Sequence, residues 1–236
     1  MNNGHDQLQL VCVSHRAEIF ARHLGSCTYT KHHPKILYDN SVQNVAIPER
    51  YNHFITHQMQ NGWVMFVHHD MVFYEDPAKI LRKLPMESIY GAIGARLENV
   101  ATTSQEVMPD LQRKRVFYGR IKCLPDISGS GKIGLHIDAP VVVDSVDCCC
   151  VIVHSSLIRR YQLRFDPNFA WHFYSEDFSL NAFRRHGIKT HVIPLRCGHF
   201  GFGSWGKAFH AARRDLIEKY HGLEFAATCA VHIGQR

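Results

Sequence analysis

The sequence lacks the features that mark membrane, repeat or disordered proteins. It contains no run of about 18 or more apolar residues, the length that a membrane-spanning helix requires, and it has no internal repeat or low-complexity linker. The segment 1–9 is polar and lacks the basic-then-apolar layout of a signal peptide, which predicts a cytoplasmic protein with at most peripheral membrane contact. The 236 residues, 45% of them apolar and 20% charged, suit a single globular domain spanning 1–236.

A Cys-x-x-Cys pair is also absent, although the chain has eight cysteines. Structural zinc ribbons use such pairs, so the sequence argues against one. Three cysteines, Cys148 to Cys150, are consecutive in an apolar segment that is predicted to be a strand, where neighbouring side chains point to opposite faces. With no secretion signal either, we expect all eight thiols to be free.

Basic residues exceed acidic ones, with 27 Lys and Arg against 21 Asp and Glu, for a formal charge of +6 beside 18 His. This excess suits an anionic partner, such as nucleotide phosphates, nucleic acid or an acidic membrane. Charge alone, however, favours the simpler explanation, which is solubility. The basic cluster Arg113 to Arg115 is too short to indicate a nucleic-acid patch, so no nucleic-acid partner is expected.

Strand-like and helix-like patterns alternate along the chain, which predicts an α/β fold. The segment 63–67 is continuously apolar, as in a strand that is buried on both faces of a parallel sheet. The predicted strands are 8–14, 35–38, 63–67, 89–95, 141–154 and 188–193, and the predicted helices are 16–24, 48–60, 77–84, 175–186 and 204–220. Residues 96–140 are expected to be mostly loops, some of them mobile, with short strands near 116–121, and 222–236 is expected to be a tail.

The first candidate for chemistry is the triplet His68, His69 and Asp70, directly after the predicted strand 63–67. In open α/β sheets, ligands bind beyond the carboxyl ends of the strands. A carboxylate at this place can hold a divalent cation that bridges two phosphates. A turn that happens to contain an aspartate explains the triplet equally well when it is taken alone.

The second candidate is the acidic pair Glu176 and Asp177 at the predicted start of a helix. Acidic residues are stabilised there by the positive end of the helix dipole, so a helix start with Ser175 as its N-cap explains the pair without any function. The preceding segment 165–174 is rich in aromatic residues. It suits a wall on which a sugar stacks above a carboxylate, and it suits the hydrophobic core equally.

The third candidate is His199, which lies between glycines in the segment 197–204. Glycines let the backbone bend closely, so a histidine here can reach a metal, although histidines in turns are common. By contrast, Gly129 to Gly134 matches Gly-x-Gly-x-x-Gly only literally. No strand precedes it and no helix follows it, so it does not indicate a dinucleotide site.

Five segments follow one another in a characteristic order: PERYN at 48–52, FVHHDM at 66–71, VDCCCVIV at 146–153, FDPNFAWHFYSEDFSL at 165–180 and CGHFGFGS at 197–204. Together they resemble the GT-A-fold glycosyltransferases of the family-2-like group, above all the bacterial branch named for a streptomycin-biosynthesis protein. The segment 171–180 with His199 is also similar to the acidic motif and late metal ligand of β1,4-galactosyltransferases. The resemblance spans about residues 8–205 and implies one GT-A-like domain with a mixed, mostly parallel central sheet flanked by helices.

The resemblance also implies roles for individual residues. Asp70 matches the metal-binding acid of the family's Asp-x-Asp motif and His199 its later metal ligand, for Mn²⁺ or Mg²⁺. His68 replaces the first acid of that motif and brings no negative charge. Asp177 matches the catalytic base and Glu176 its acidic neighbour. Nucleotide or donor contacts are implied for Ser14, His15, Arg16, Asp39, Asn52, His68, His69 and Asp147, and a wall facing the acceptor or sugar for Trp171 and Tyr174.

The implied activity is that of an inverting, metal-dependent glycosyltransferase. Such an enzyme moves a sugar from a nucleotide-diphosphate donor, by family habit a UDP-sugar, to a hydroxyl of a glycan or small-molecule acceptor, lipid-linked or free. The implied setting is the synthesis of bacterial surface glycans or glycoconjugates. Two alternatives stay open at this point. A sugar-nucleotide pyrophosphorylase has a related sheet, but the segment 13–25 lacks its basic, Gly-rich signature. A nucleotide- or glycan-binding domain without catalysis fits the replacement of an acid by His68.

Overall fold

The computed structural model describes residues 7–101, 111–123, 131–201 and 205–233. The strands in these ranges are β1 Leu8–Ser14, β2 Lys35–Asp39, β3 Trp63–Val67, β4 Met71–Phe73, β5 Ile89–Gly91, β6 Gly94–Ala101, β7 Leu111–Tyr118, β8 Ile121–Cys123, β9 Lys132–Ile133, β10 Val141–Val143, β11 Ser145–Val146, β12 Cys150–His154, β13 Thr190–Val192, β14 Cys197–His199, β15 Phe225–Ala226 and β16 Val231–His232. The α-helices are α1 Ala17–Phe20, which continues as a π-helical turn, α2 Ile47–His57, α3 Pro77–Leu81, α4 Ser155–Tyr161, α5 Tyr174–His186 and α6 Lys207–Lys219.

A seven-stranded sheet forms the centre of the fold, in the order β10-β13-β5-β12-β3-β1-β2. Strands β1, β2, β3, β5 and β13 run in one direction, whereas β12 is antiparallel to both of its neighbours and β10 is antiparallel to β13. Most strands therefore share one direction. This confirms the predicted α/β fold with a mixed, mostly parallel central sheet.

Strand β3 lies in the middle of this sheet, and all of its residues are buried. Val64 and Phe66 pack into one hydrophobic core, and Met65 and Val67 pack into another. Successive side chains of a strand point to opposite faces, so the two cores lie on opposite faces of the sheet. The apolar run of β3 thus has the burial on both faces that its sequence predicts.

A four-stranded sheet, in the order β4-β14-β8-β9, begins where β3 ends. The chain turns after β3 and enters β4, and β14 pairs with β4 in the antiparallel direction, so that His199 lies opposite Met71. Segments that are far apart in the sequence therefore meet at the turn that contains the His68–Asp70 triplet. This long-range pairing is what positions the site.

The region 96–140 contains more regular structure than its sequence indicates. Strands β6 and β7 pair along their full length, from Gly94 opposite Tyr118 to Ala101 opposite Leu111. One pair of opposite charges, Glu98 and Lys114, lies directly across the two strands, and such cross-strand pairs are stabilising. Gly129 and Ser130 of the Gly-rich segment lie outside the described residues.

The start of helix α5 differs from the sequence-based prediction. Ser175 is not the N-cap, because the helix begins one residue earlier, at Tyr174, and Phe173 occupies the cap position with a φ of 61°. Positive φ is rare for a bulky residue. Here the Phe173 ring is buried against Phe209, with ring centroids 5.1 Å apart, and this packing accounts for the conformation. Gly187, with a φ of 66°, ends the helix as predicted.

The three consecutive cysteines do not all belong to one strand. Cys150 begins β12, whereas Cys148 and Cys149 lie in the preceding turn. The Asp147 carboxylate accepts a hydrogen bond from the Cys149 backbone N–H at 2.9 Å, and such a side-chain contact stabilises a turn. All eight cysteines are free, as the sequence predicts.

The segment 222–233 packs against the rest of the domain. Phe225 and Ala226 of β15 are fully buried, and β15 pairs with β16 in the antiparallel direction. Ser145 donates a hydrogen bond to the Ala226 carbonyl at 3.0 Å, which joins this hairpin to the strands beside α5. Within the described residues, no helix is both long and apolar enough to cross a membrane.

Candidate metal and catalytic site

Three side chains that can bind a metal, those of His68, Asp70 and His199, meet at the carboxyl end of β3. The ligand atoms that they offer all lie within 4.8 Å of one another. His199 Nε2 is 3.2 Å from Asp70 Oδ1 and 3.4 Å from His68 Nδ1. Two imidazoles and one carboxylate form a mixed donor set, which suits Mn²⁺ better than Mg²⁺ because Mg²⁺ prefers oxygen ligands.

Backbone contacts hold this metal cluster of His68, Asp70 and His199 in place. The His68 N–H donates to the Cys149 carbonyl at 3.0 Å, and the Phe200 N–H donates to the Asp70 carbonyl at 3.1 Å. Gly201 passes so close that a Cβ atom at this position would lie 2.2 Å from Asp70 Oδ2. The glycine after His199 therefore allows the close approach of the backbone that its sequence context predicts.

His68 is held by a buried tyrosine. Its Nε2 is 2.8 Å from the hydroxyl of Tyr174, which has no solvent exposure. Burial lowers the pKa of His68 to about 4, although the charge of Asp70 acts in the opposite direction. A neutral imidazole that donates from Nε2 to the tyrosine oxygen keeps a lone pair on Nδ1, which faces His199. Tyr174 thus positions His68, and its lack of solvent exposure does not support the predicted place in a wall facing the acceptor or sugar, which stays a prediction.

The Asp70 carboxylate has the properties of a ligand for a cation. Burial would raise its pKa, but the close contact with His199 outweighs burial and holds the pKa well below its ordinary value. For His199, burial lowers the pKa, and Asp70 more than compensates, so that the pKa is raised. Asp70 Oδ1 is buried and has no aligned hydrogen-bond donor. The contact of this oxygen with His199 Nε2 at 3.2 Å lacks good hydrogen-bond alignment, and a bound cation would satisfy the oxygen better, so the residues present fit a divalent metal.

Glu176, in the first turn of α5, is a buried acid that is linked to the metal cluster through Asp147. Burial, and then the charge of Asp147, raise the pKa of Glu176 to about 7. Asp147 also acts electrostatically on His68 and His199, which connects the two sets of groups. The hydrogen-bond partners of the Glu176 carboxylate are Ser175 Oγ at 2.8 Å, Thr228 Oγ1 at 3.0 Å and Cys148 Sγ at 3.1 Å.

Asp177 faces helix α6 instead. It is fully buried, its Oδ1 lies 2.6 Å from Lys219 Nζ, and the Tyr220 hydroxyl donates to the same oxygen at 2.8 Å. Burial raises the pKa of Asp177 more than Lys219 lowers it. Asp147 thus links Glu176 to the metal cluster, whereas Asp177 is paired with Lys219 of α6. The role of Asp177 as catalytic base stays a prediction from the family resemblance.

Several residues that the resemblance assigns to the donor lie together at the carboxyl edge of the central sheet. Ser14 and Asp39 are register partners at the ends of β1 and β2. Ser14 Oγ is 2.5 Å from His69 Nδ1, which joins this edge to the turn after β3. His15 and Arg16 follow β1 and are exposed. Polar side chains are thus grouped beside the metal cluster, at the edge where open α/β sheets bind ligands.

Asn52 is not part of that group. Its side-chain amide donates to the Phe165 carbonyl at 2.8 Å and accepts from the Phe165 N–H at 2.9 Å. Both polar ends of the amide are therefore used to fix the segment before α5, and this geometry does not support a contact with the nucleotide. Trp171 is 39% exposed, so it can stack on a ligand as predicted.

The sequence reasoning missed Thr228, whose hydroxyl is 2.7 Å from Asp147 Oδ2 as well as 3.0 Å from Glu176. Thr228 lies in the segment predicted to be a tail, and no motif marks it. The available signal is the run of small and apolar residues at 225–230, Phe-Ala-Ala-Thr-Cys-Ala, which suits a buried segment better than a solvated tail.

The fold has a counterpart among solved structures. The crystal structure of GalNAc-T7 with UDP, GalNAc and Mn²⁺ matches with a TM-score of 0.55 at 10% sequence identity, over 90% of this chain and 47% of that chain. This chain thus spans about half the length of that protein. The match shows that the two share the α/β fold of a GT-A glycosyltransferase, and at this identity it shows the fold alone.

Other structures are less similar. A197 from STIV matches with a TM-score of 0.43 at 10% identity, over 83% of this chain and 86% of that chain. A putative glucose-1-phosphate thymidylyltransferase from Bacillus anthracis in complex with a sucrose matches with a TM-score of 0.38 at 8% identity, over 92% and 77%. These scores are too low to support an argument. No protein-family model and no curated protein sequence matches this chain.

Proposed function

We propose that this protein is a metal-dependent glycosyltransferase that moves a sugar from a nucleotide-diphosphate donor to a hydroxyl acceptor. The observation that carries the proposal is the metal cluster of His68, Asp70 and His199 beside the carboxyl edge of the sheet, in a fold shared with a structure that contains UDP and Mn²⁺. A UDP-sugar as donor and a glycan, lipid-linked or small-molecule acceptor belong to the proposal through the family resemblance.

His68, Asp70 and His199 would hold the cation. A divalent metal bound there would neutralise the negative charge of the diphosphate leaving group. Of the three side chains, only Asp70 brings a negative charge, because His68 is held neutral by burial. The low ligand charge leaves more of the cation's charge for the donor phosphates than a pair of acids would.

We assign the binding of the nucleotide to four residues at the carboxyl edge of the sheet, Ser14, His15, Arg16 and Asp39. Arg16 pairs with Glu18 at 3.0 Å, and more than half of each side chain is exposed to solvent. An exposed ion pair of this kind is weak, so the guanidinium can exchange its carboxylate for a phosphate at little cost.

Glu176 is the group that we assign to the acceptor proton. A general base works best when its pKa is near the operating pH, and burial brings the pKa of Glu176 to about 7. The carboxylate would take the proton as the acceptor oxygen attacks the anomeric carbon from the face opposite the leaving group, which inverts the configuration. Asp177, already paired with Lys219, is the alternative base that the resemblance implies.

A screen of nucleotide sugars tests the proposal. The purified protein is mixed with UDP-, GDP- and dTDP-sugars, with and without MnCl₂, and both thermal unfolding and product mass are measured. We expect one donor class to stabilise the protein only with Mn²⁺, by about 2.7 kcal/mol at a hundredfold excess over its Kd, and to yield a glycosylated acceptor. Asp70→Asn should lose both effects, whereas Asp215→Asn, an exposed acid on α6, should lose neither.

Two results, one from a parallel assay with sugar phosphates and nucleoside triphosphates and one from the screen itself, would overturn the proposal. Release of pyrophosphate from a sugar phosphate and a nucleoside triphosphate, without transfer to a hydroxyl, would identify a pyrophosphorylase. Tight binding of a nucleotide sugar without a product from any donor and acceptor would identify a binding domain that lacks catalysis.

A further inference from the structure

A cavity of about 450 Å³ lies against the small sheet, and its lining is strongly basic. Four basic side chains line it, those of Arg120, Lys122, Lys132 and Arg196. The apolar part of the lining consists of Ile137, Pro194 and Leu195. His68, Asp70 and His199 do not line this cavity. It is therefore a different place from the metal cluster, although β14 contributes to both.

The register of the sheet explains why these basic side chains meet. Lys122 of β8 is the partner of Lys132 in the antiparallel strand β9 and of Gly198 in the parallel strand β14. Arg120 and Arg196 directly precede β8 and β14, and their side chains line the same cavity as those of Lys122 and Lys132. Ile121, the neighbour of Lys122 on the other face of the sheet, is buried in the core. Three adjacent segments thus bring their cations to one cavity.

Side chains in the described part of the chain do not compensate this concentration of charge. Among the residues that the structure describes, no acidic side chain forms an ion pair with any of the four cations. Glu75 lies two residues after β4, and its carboxylate accepts a hydrogen bond from the Arg196 backbone N–H at 2.7 Å. The Arg196 guanidinium itself forms no ion pair with this carboxylate. His136, which also lines the cavity, is paired with Asp138 at 3.1 Å.

Two like charges directly opposite each other on neighbouring strands are destabilising. Lys122 and Lys132 have this relationship, and two arginines on the same face add to the repulsion. An anion in the cavity would relieve it. Arginine and lysine together match the oxygen atoms of a phosphate, because the guanidinium binds two oxygens at once and the ammonium acts as a point charge.

We propose that this cavity is a second anion site, which binds a phosphate-bearing ligand with two or more negative charges without the help of a metal. The site needs only the cations of the small sheet, so it stands independently of the glycosyltransferase proposal. Free phosphate esters and the phosphate headgroup of a lipid share this chemistry.

Calorimetric titration with inorganic pyrophosphate, in buffer stripped of metal ions on a resin, tests the site. Wild-type protein should bind pyrophosphate, and Lys122→Gln with Lys132→Gln should weaken this binding by about tenfold or more, because two charge-assisted contacts are lost. The matched control, Lys83→Gln with Arg185→Gln, removes the same charge from exposed positions outside the cavity and should bind as wild type does. Asp70→Asn should also bind as wild type does.

Thermal unfolding of each variant shows whether it is folded, and the Lys122 and Lys132 variant should be at least as stable as wild type because repulsion is removed. Flotation with phosphatidylcholine vesicles that contain phosphatidic acid distinguishes a lipid headgroup from a free phosphate ester. If flotation of the protein depends on Lys122 and Lys132 and is inhibited by pyrophosphate, the ligand of the site is a headgroup. Absence of pyrophosphate binding to the wild type, or equal weakening in both double variants, would overturn the proposal.

Discussion

The hydroxyl of Thr228 lies 3.0 Å from Glu176 Oε1, and the same oxygen lies 2.7 Å from Asp147 Oδ2. A hydroxyl has one hydrogen and can donate it to only one of these two carboxyl groups. The arrangement is therefore satisfied when the other carboxyl group carries a proton and donates to the hydroxyl. Burial raises the pKa of Glu176 to about 7, so Glu176 is the group that holds a proton near neutral pH.

Protonation of Glu176 makes stability depend on pH. Its pKa is raised from the ordinary value of 4.5 to about 7, so the folded state binds more protons than the unfolded state between these values. The contribution to stability is fully present below pH 4.5 and is lost as the pH rises through about 7.

Glu176→Gln should remove this loss. The difference in free energy of unfolding between variant and wild type should change by up to about 3 kcal/mol between about pH 5 and about pH 8. Denaturant unfolding at both pH values measures it, and a constant difference would contradict the protonation of Glu176.

Kinetics of Glu176→Gln test the base itself. The amide is nearly isosteric and cannot accept a proton, so kcat should fall by about 10²–10⁴-fold while Mn²⁺-dependent nucleotide binding is retained. For the wild type, kcat/KM should rise with pH through about 7, as the base loses its proton. Glu218→Gln, on the exposed surface of α6, is the matched control and should have normal kcat. NMR of the product adds a second criterion, because retention of the donor's anomeric configuration is incompatible with this role.

Asp177→Asn tests whether Asp177 stabilises the fold through Lys219 or acts as the catalytic base that the resemblance implies. The variant breaks a buried contact with Lys219, which keeps a second partner in Asp166 at 2.7 Å. We expect a loss of about 1–3 kcal/mol in the free energy of unfolding and a nearly unchanged kcat in the folded protein. The role implied by the resemblance predicts the opposite, a fall in kcat of about 10²–10⁴-fold with little change in stability. Unfolding and steady-state rates measured on the same preparation decide between the two.

Gly201→Ala tests the geometry of the metal cluster without removing a ligand. The new Cβ would lie 2.2 Å from Asp70 Oδ2, so the carboxylate must move. We expect Mn²⁺ affinity to fall by about 10–100-fold, the range found when the surroundings of a ligand are disturbed. Gly222→Ala is the control, because nothing lies within 4 Å of its added Cβ. Equal Mn²⁺ affinity in both variants, measured by titration, would argue against Asp70 as a ligand.

Local patterns were sufficient for much of the fold. The bounds of β1 and β3 follow from apolar runs that end at polar turn residues, and both strands have the predicted bounds. Gly187 ends α5 because a positive φ there costs glycine little. The β6–β7 hairpin was missed, since its stability comes from pairing across strands and its own residues do not alternate clearly between apolar and polar.

The metal cluster could be predicted only in part. Asp70 and His199 were named from the order of motifs, and a strand followed by His-His-Asp is a local signal. That His199 reaches Asp70 at 3.2 Å depends on the pairing of β14 with β4, which no local pattern encodes. The contact between Tyr174 and His68 depends in the same way on tertiary packing, because it joins the first residue of α5 to the residue that follows β3.

The sequence by itself determined that two acids, Glu176 and Asp177, stand side by side at the start of a helix. Consecutive helical residues point about 100° apart, so the two must face different surroundings. Which of them lies beside Asp147, the residue that also acts on the metal cluster, was decided by the tertiary structure alone. Helix α6 brings Lys219 to Asp177, and the C-terminal segment brings Thr228 to Glu176. Both acids are desolvated, but Lys219 offsets part of the effect of burial on the pKa of Asp177, whereas Asp147 adds to the effect of burial on the pKa of Glu176.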